Sequence, residues 1–224
     1  MVPVNYTNTS HDVVQGFLSI EESEHIARVL KRSERDVLRL PNPEWNDSNY
    51  PPLTKQHVVY NWLTHPDIRP LNIPQRLLGL DLFKDINNLT LQCWSNILRQ
   101  GEHITPHQHH EEDKEPLSDF HKDTTPQERA KTQLVPMVAT NIFLDGVEPS
   151  YTHYEDTKQT LNIKGDLHIV GAYHRHEVKT NVYRTPRYSL AMDIYFRDYT
   201  KGWDTIEKGF GNTKRFVDVS RSNV

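Results

Sequence analysis

The apolar residues of this chain change their spacing at Leu89, and that change constrains the fold more tightly than any other feature. Ahead of it apolar side chains recur at helical intervals, and after it they alternate, which is the signature of strands. Alternation over residues 89–97 sends Leu89, Leu91, Cys93 and Ile97 to one face and Gln92, Trp94 and Asn96 to the other. The first face has the character of a core and the second that of a lined cavity. Further strands are predicted over 135–143, 150–154, 160–163, 166–170, 177–183 and 188–196, with turns at Asp145-Gly146 and Lys164-Gly165. Short, closely spaced strands behind a helical leader predict a mainly β fold with flanking helices: a double-stranded β-helix, or jelly roll, with an N-terminal helical part.

The leader has its own signals. Ser19-Ile20-Glu21-Glu22 is a capping box opening a helix whose Ile26, Ala27, Val29 and Leu30 share one face. A second helix is expected over 55–63 and a third from Pro74 through Leu77, Leu78, Leu80 and Leu82. With 224 residues the chain is long enough for one well-buried domain, divided as a leader over about 1–88, a jelly-roll core over 89–196 and a tail over 197–224.

Composition excludes several function classes. The formal net charge is −4 with both signs interspersed, so there is no basic footprint for wrapping nucleic acid. The single cysteine, Cys93, cannot form an internal disulfide and is expected to be an inert, core-facing hydrophobe. The start of the chain lacks the basic and apolar stretches of a signal peptide, and no apolar run reaches the roughly 20 residues of a membrane helix. A cytoplasmic setting with no membrane partner is the expectation. Phosphate-binding loops, nucleophile elbows and paired-cysteine zinc motifs are absent from the sequence.

Histidine is the unusual residue, with 13 in the chain. His103, His107, His109, His110 and His121 fall together, and His153, His168, His174 and His176 follow among the predicted strands. In His107-Gln108-His109 the i, i+2 spacing puts two imidazoles on one side of an extended chain, where they can share a metal. A third ligand must come from another strand, and His174-Arg175-His176 is the evident source. Three donors on one face with open positions are what non-haem Fe(II) chemistry needs. Solvated histidines in a charged loop are the plainer alternative. Arg187 and Ser189, two apart on a strand, share a face and together make a receptor for a buried carboxylate; Arg184, ahead of Pro186, is the competing arginine and belongs in a solvated turn.

The order Trp94-Ser95-Asn96, Gly101, His107, His109, then Gly165-Asp166-Leu167, His176, Val178 and Pro186-Arg187-Tyr188-Ser189 resembles the Fe(II)- and 2-oxoglutarate-dependent oxygenases, nearest in pattern to bacterial and phage members. The resemblance spans about 89–196, and Phe17-Leu18-Ser19 with Glu21-Glu22 resembles the family's leader helix. It implies an oxidoreductase, most simply a hydroxylating dioxygenase that releases succinate and carbon dioxide. It makes His107 and His176 iron ligands and Arg187 the clamp on 2-oxoglutarate, with Ser189 assisting. Asn96, a strand amide expected to be buried, would contact the co-substrate or the substrate. The substrate class is a small molecule or a protein side chain.

The sequence departs from that pattern where the family usually places Asp or Glu. Here the position holds His109. Three options follow: a three-histidine set of His107, His109 and His176, a shifted His109-His110-Glu111 pair, or a carboxylate from Glu112 or Asp113. The spacing from Gly101 to His107 favours the first. Gly101 and His107-x-His109 also resemble the opening of the cupin metal motif, with Asp113 or Glu115 in place of its glutamate, and a metal-binding cupin-like protein is the rival. Cupins require no equivalent of Arg187. A jelly-roll module without catalysis, its histidines solvated, is the non-enzymatic alternative. His168 is expected to be a satisfied half-core residue, His174 to orient His176, and His103 and His121 to be solvated. The charged loop over 110–133 and the tail from Lys201, with Trp203 and Phe210, are candidate covers for the site.

Overall fold

A computed structural model describes residues 11–41, 50–109, 138–146, 149–154, 159–172, 174–196 and 216–221. Among them the elements are β1 (Asp12–Val14), α1 (Ile20–Leu38), α2 (Ile73–Leu78), β2 (Asn88–Leu98), β3 (Ile104–His107), β4 (Val138–Asp145), β5 (Tyr151–Tyr154), β6 (Gln159–Leu161), β7 (Leu167–Gly171), β8 (His176–Val178), β9 (Arg187–Phe196) and β10 (Val217–Ser220). One sheet has the order β1-β7-β4-β9-β2-β10 and the other β3-β8-β5-β6. From β2 to β9 the chain passes back and forth between the sheets, and all pairings are antiparallel. This is a double-stranded β-helix, as the alternating pattern predicts.

The two faces of the larger sheet serve different purposes. Leu89, Leu91, Cys93 and Ile97 of β2, with Leu190, Met192 and Ile194 of β9, join Ile26, Val29 and Leu30 of α1 and Leu77 and Leu78 of α2 in one buried core. The opposite face, carrying Trp94 and Asn96, looks toward the smaller sheet and lines a cavity. Burial of Cys93 in the core pushes its thiol well above the usual value, which removes it from nucleophilic chemistry.

Helix α1 begins as its sequence dictates. The Ser19 hydroxyl accepts from the Glu22 N–H at 3.1 Å, and the Glu22 carboxylate accepts from the Ser19 N–H at 2.8 Å. The helix continues past Lys31-Arg32-Ser33 to Leu38, and Val37 joins the core.

The helix predicted over 55–63 is instead two 3-10 turns, Thr54–Val58 and Trp62–Thr64. Asn61 divides them: its Oδ1 accepts from Leu63 N–H at 3.0 Å, and its Nδ2 donates to Leu91 O at 2.9 Å. A side chain that bonds the local backbone in this way competes with helix continuation. Helix α2 ends at Leu78 with a further 3-10 turn over Asp81–Phe83, shorter than the run through Leu82 that the leucine spacing predicts. Strand β8 stops at Val178, five residues before the predicted end, because Asn181 is drawn into the adjoining loop. Its Nδ2 donates to Leu98 O at 2.8 Å and Thr185 O at 3.0 Å, and its Oδ1 accepts from Tyr183 N–H. The periodicity does not foresee β1, β3 and β10, which are three or four residues long.

Gly165 sits in one of the predicted turns at φ +87°, and a Cβ there would lie 2.4 Å from Leu18 O. The close approach is functional for the fold, since Leu18 N–H donates to Gly165 O at 2.9 Å and ties the helical leader to the sheet. Gly165→Ala is therefore expected to cost at least about 2 kcal/mol, combining left-handed strain of roughly 1–3 kcal/mol with a backbone clash. Ser19→Ala, which removes only the cap, is expected to cost about 1 kcal/mol. Urea unfolding of the two variants, read as a shift in midpoint at constant slope, checks both values.

Candidate metal centre

His107 closes β3 directly opposite His176, which opens β8, so one register pair of the smaller sheet brings two imidazoles together. Two residues on, the His109 backbone N–H donates to Ala172 O at 2.9 Å, just past the end of β7. That bond turns the third imidazole back toward the first two. The ligand-capable ring atoms of His107, His109 and His176 all lie within 4.8 Å of one another. Ring centroids are 4.5 Å apart for His107 and His176, and 5.2 Å apart for His109 and His176, which stack at 11°.

Each of these rings is held through Nδ1. His107 Nδ1 bonds the Thr105 carbonyl at 2.9 Å, and His176 Nδ1 bonds the His174 carbonyl at 3.1 Å. A carbonyl only accepts, so in both residues Nδ1 carries a proton, and in the neutral ring the lone pair is on Nε2. His174 therefore steadies His176 through its backbone, not its ring. The His109 Nδ1 lies 2.6 Å from Asp193 Oδ1, and a carboxylate accepts there as a carbonyl does, which turns Nε2 away from this bond. Burial, reinforced by the rings of His107 and His109, holds His176 well below the ordinary imidazole value, and this keeps it neutral. Three imidazoles whose Nδ1 atoms are engaged leave their Nε2 atoms as donors suited to a borderline divalent metal such as Fe(II) or Zn(II).

The histidines open onto a cavity of about 380 Å³ between the sheets. Trp94 and Asn96 line it from β2, and Ala191 and Asp193 line it from β9. The Trp94 ring stacks on His109 at 5.7 Å and 27°. Asn96 is 4% exposed, and its Oδ1 accepts from Thr54 Oγ1 at 2.7 Å. That bond orients the amide. His168 is buried in the cavity wall, with its Nδ1 3.3 Å from Tyr154 Oη, so it belongs to the cavity lining and not to a half-buried core.

Arg187 and Ser189 are buried on the same face of β9 as Ala191 and Asp193, but neither lines this cavity. Arg187 lines a second cleft of about 270 Å³ with Ser150, Lys179 and Asn181. Its Nη2 is buried and has no hydrogen-bond partner among the described residues, and desolvation pushes its pKa down to about 10. Arg187 is thus a cation held out of water without a counter-ion among the described residues.

His103 is exposed. The alternative ligands His110, Glu111, Glu112, Asp113 and Glu115, the 110–133 loop with His121, and the tail with Trp203 and Phe210 lie outside the described residues. Asp193 is the site residue that sequence reasoning missed. Its signal was present, because period-2 counting from Arg187 through Ser189 and Ala191 places this carboxylate, the one acidic residue of the run 187–196, on the cavity face.

No protein-family profile matches this sequence, and no curated protein matches it. Solved structures do match. HygX from Streptomyces hygroscopicus with nickel, 2-oxoglutarate and hygromycin B bound is 14% identical, with a TM-score of 0.58 over 88% of this chain and 87% of that one. HygX with iron bound gives 14% identity and a TM-score of 0.54 over 86% and 84% of the chains. A prolyl hydroxylase from Trichoplax adhaerens, in complex with a hypoxia inducible factor peptide fragment, is 12% identical, with a TM-score of 0.55 over 87% and 88%. The chain shares the double-stranded β-helix fold of these proteins. Among the described residues, no helix is long and apolar enough to cross a membrane.

The buried wall histidine gives a pH signature. Desolvation, aided by the neighbouring His11 ring, pushes His168 down to about 3, far below the roughly 6.5 of an unfolded chain. Between those values the unfolded state binds a proton that the native state does not. The associated stability is complete above about pH 6.5 and is lost as pH falls toward 3, by up to about 1.4 kcal/mol per pH unit. Denaturant unfolding at pH 7.5, 6 and 5 should show this loss in the parent chain and a shallower slope in His168→Gln.

Proposed function

We propose that this chain is an Fe(II)- and 2-oxoglutarate-dependent oxygenase that hydroxylates its substrate and releases succinate and carbon dioxide. The observation that carries the proposal is the convergence of His107, His109 and His176 at the wall of a cavity in a double-stranded β-helix, each ring anchored through Nδ1. The donor chemistry fits the metal: three imidazoles converging on one side leave other coordination positions for co-substrate and oxygen. Iron bound there, with 2-oxoglutarate and oxygen, supplies the oxidation itself.

The protein residues do the holding and positioning. His107 and His176, facing each other across one strand pair, set the distance between two ligands, and the backbone anchor of His109 sets the third. Arg187 fits the co-substrate for a separate reason. A carboxylate reaching it would pair a buried guanidinium that has an unbonded Nη2, and the buried Ser189 hydroxyl lies on the same face. Asn96, oriented by Thr54 and opposite Ser189 in the strand register, presents its amide to the histidine cavity.

The substrate is a small molecule or a protein side chain. Structures of this fold have been solved with the small molecule hygromycin B and with a peptide fragment, and a cavity of about 380 Å³ is of a size for either class.

A metal-binding cupin-like protein is the second reading, and one observation favours it: Arg187 lines the second cleft and not the histidine cavity. The arginine separates the two readings. In the oxygenase, Arg187→Ala removes one partner of a buried charge pair at a cost of roughly 2–5 kcal/mol, so the apparent affinity for 2-oxoglutarate should fall at least about thirtyfold while iron binding is retained. In the cupin-like reading the substitution leaves 2-oxoglutarate without effect in both proteins. The parent chain should form succinate from 2-oxoglutarate only when iron(II) and oxygen are present. His176→Ala should retain no iron after desalting and form no succinate. Metal content equal to the parent's would refute the ligand assignment.

A further inference from the structure

The three histidines leave a charge unaccounted for. An imidazole that binds through a lone pair neutralises none of the charge of a divalent ion, and apart from one residue the described cavity wall is built from aliphatic, aromatic, imidazole, amide and hydroxyl groups. Among the described residues that line the cavity, one carries a carboxylate. Asp193 sits on the cavity face of β9, opposite Gln92 of β2 and Ala139 of β4, in a run where its neighbours Met192 and Ile194 belong to the core. A carboxylate in so apolar a strand is costly unless it is paired and hydrogen-bonded. Its partner is a ring of the metal centre, with Asp193 Oδ1 2.6 Å from His109 Nδ1 and the two side chains only 13% and 9% exposed.

The geometry points to Asp193 as the positioning residue of the metal centre: it locks His109 with Nε2 toward the ion and delivers to that ion, through the imidazole, the negative charge that the three histidines lack. The inference rests on the metal reading above and extends it.

Three observations converge on the role. The carboxylate accepts the Nδ1 proton, so the tautomer of His109 is fixed before any metal arrives. Trp94 stacks on one side of the ring at 5.7 Å, and His176 stacks at 5.2 Å, so rotation about the Asp193 bond is blocked by packing. The His109 backbone is tied to Ala172 O, which leaves the ring plane as the remaining freedom, and Asp193 removes it. The other two rings are held by backbone carbonyls. His109 is held by a charged group, and a charge-assisted bond is about twice as strong as a neutral one. An imidazole bonded to a carboxylate is a more basic ligand, and removal of such a partner typically costs about 10–100-fold in metal affinity.

The test is Co(II) titration of the full-length chain and of Asp193→Asn, which keeps the shape and loses the charge. The expected result is a Co(II) dissociation constant raised 10–100-fold and a changed visible d–d spectrum at saturation, with the metal-free melting temperature close to the parent's. Asp193→Glu, which retains the carboxylate, should recover part of the lost affinity and return the spectrum toward that of the parent. An unchanged constant and spectrum in Asp193→Asn would overturn the role of Asp193 while leaving the metal centre intact. A loss of affinity with an unchanged saturated spectrum and a lowered metal-free melting temperature would mark a merely structural residue, and would also overturn it. Failure of the parent itself to bind Co(II) would overturn the metal centre and, with it, the role of Asp193.

Discussion

The register between β2 and β9 is the constraint on which the rest depends. These two strands lie side by side in the larger sheet, from Leu91 opposite Ile194 to Leu98 opposite Arg187. Because side chains alternate, one register sends Leu91, Cys93, Leu190 and Met192 to the helices and Trp94, Asn96, Ala191 and Asp193 to the cavity. A slip of one residue would exchange the faces, burying Asp193 and Arg187 against α1 and α2 and exposing the leucines to the cavity. Burial of the apolar face therefore fixes the fold and, at no separate cost, delivers the polar face to the site.

The smaller sheet completes the arrangement with very short strands. A single register pair, His107 with His176, is enough to bring two ring centroids within 4.5 Å, and the turn to His109 adds the third. The precision comes from Nδ1 anchoring. Thr105 and His174 use backbone carbonyls that the strand geometry already positions, whereas His109, beyond the end of β3, needs a partner from the other sheet and finds it in Asp193. The centre thus links the two sheets directly, with His107 and His176 held from the side of the smaller sheet and His109 held by Asp193 of the larger.

Much of this was legible in the sequence because it follows from period and capping. The alternation in 89–97 and 188–196, the glycine turns and the Ser19 box all correspond to elements of the fold. The i, i+2 histidines and the distal His176 come together as their spacing implies. What escaped detection depends on contacts remote in sequence. Strands of three or four residues, such as β3 and β10, are too short to show a period. Asn61 and Asn181 end elements through bonds to Leu91 and Leu98, which no local pattern reveals. Asp193 reaches His109 across 84 positions, and the cleft lined by Arg187 is assembled from separate stretches at 149–153, Gln159, 179–183 and Arg187 itself.

The central claim is a chemical dependence: three histidines hold a metal, and that metal with Arg187 receives 2-oxoglutarate. Anaerobic calorimetric titration of 2-oxoglutarate into the full-length chain, with and without saturating iron(II), tests it most directly. A site of this kind binds one co-substrate per chain when iron is present and shows little or no binding when it is absent. Equal binding without iron, or no binding with iron already bound, would contradict it.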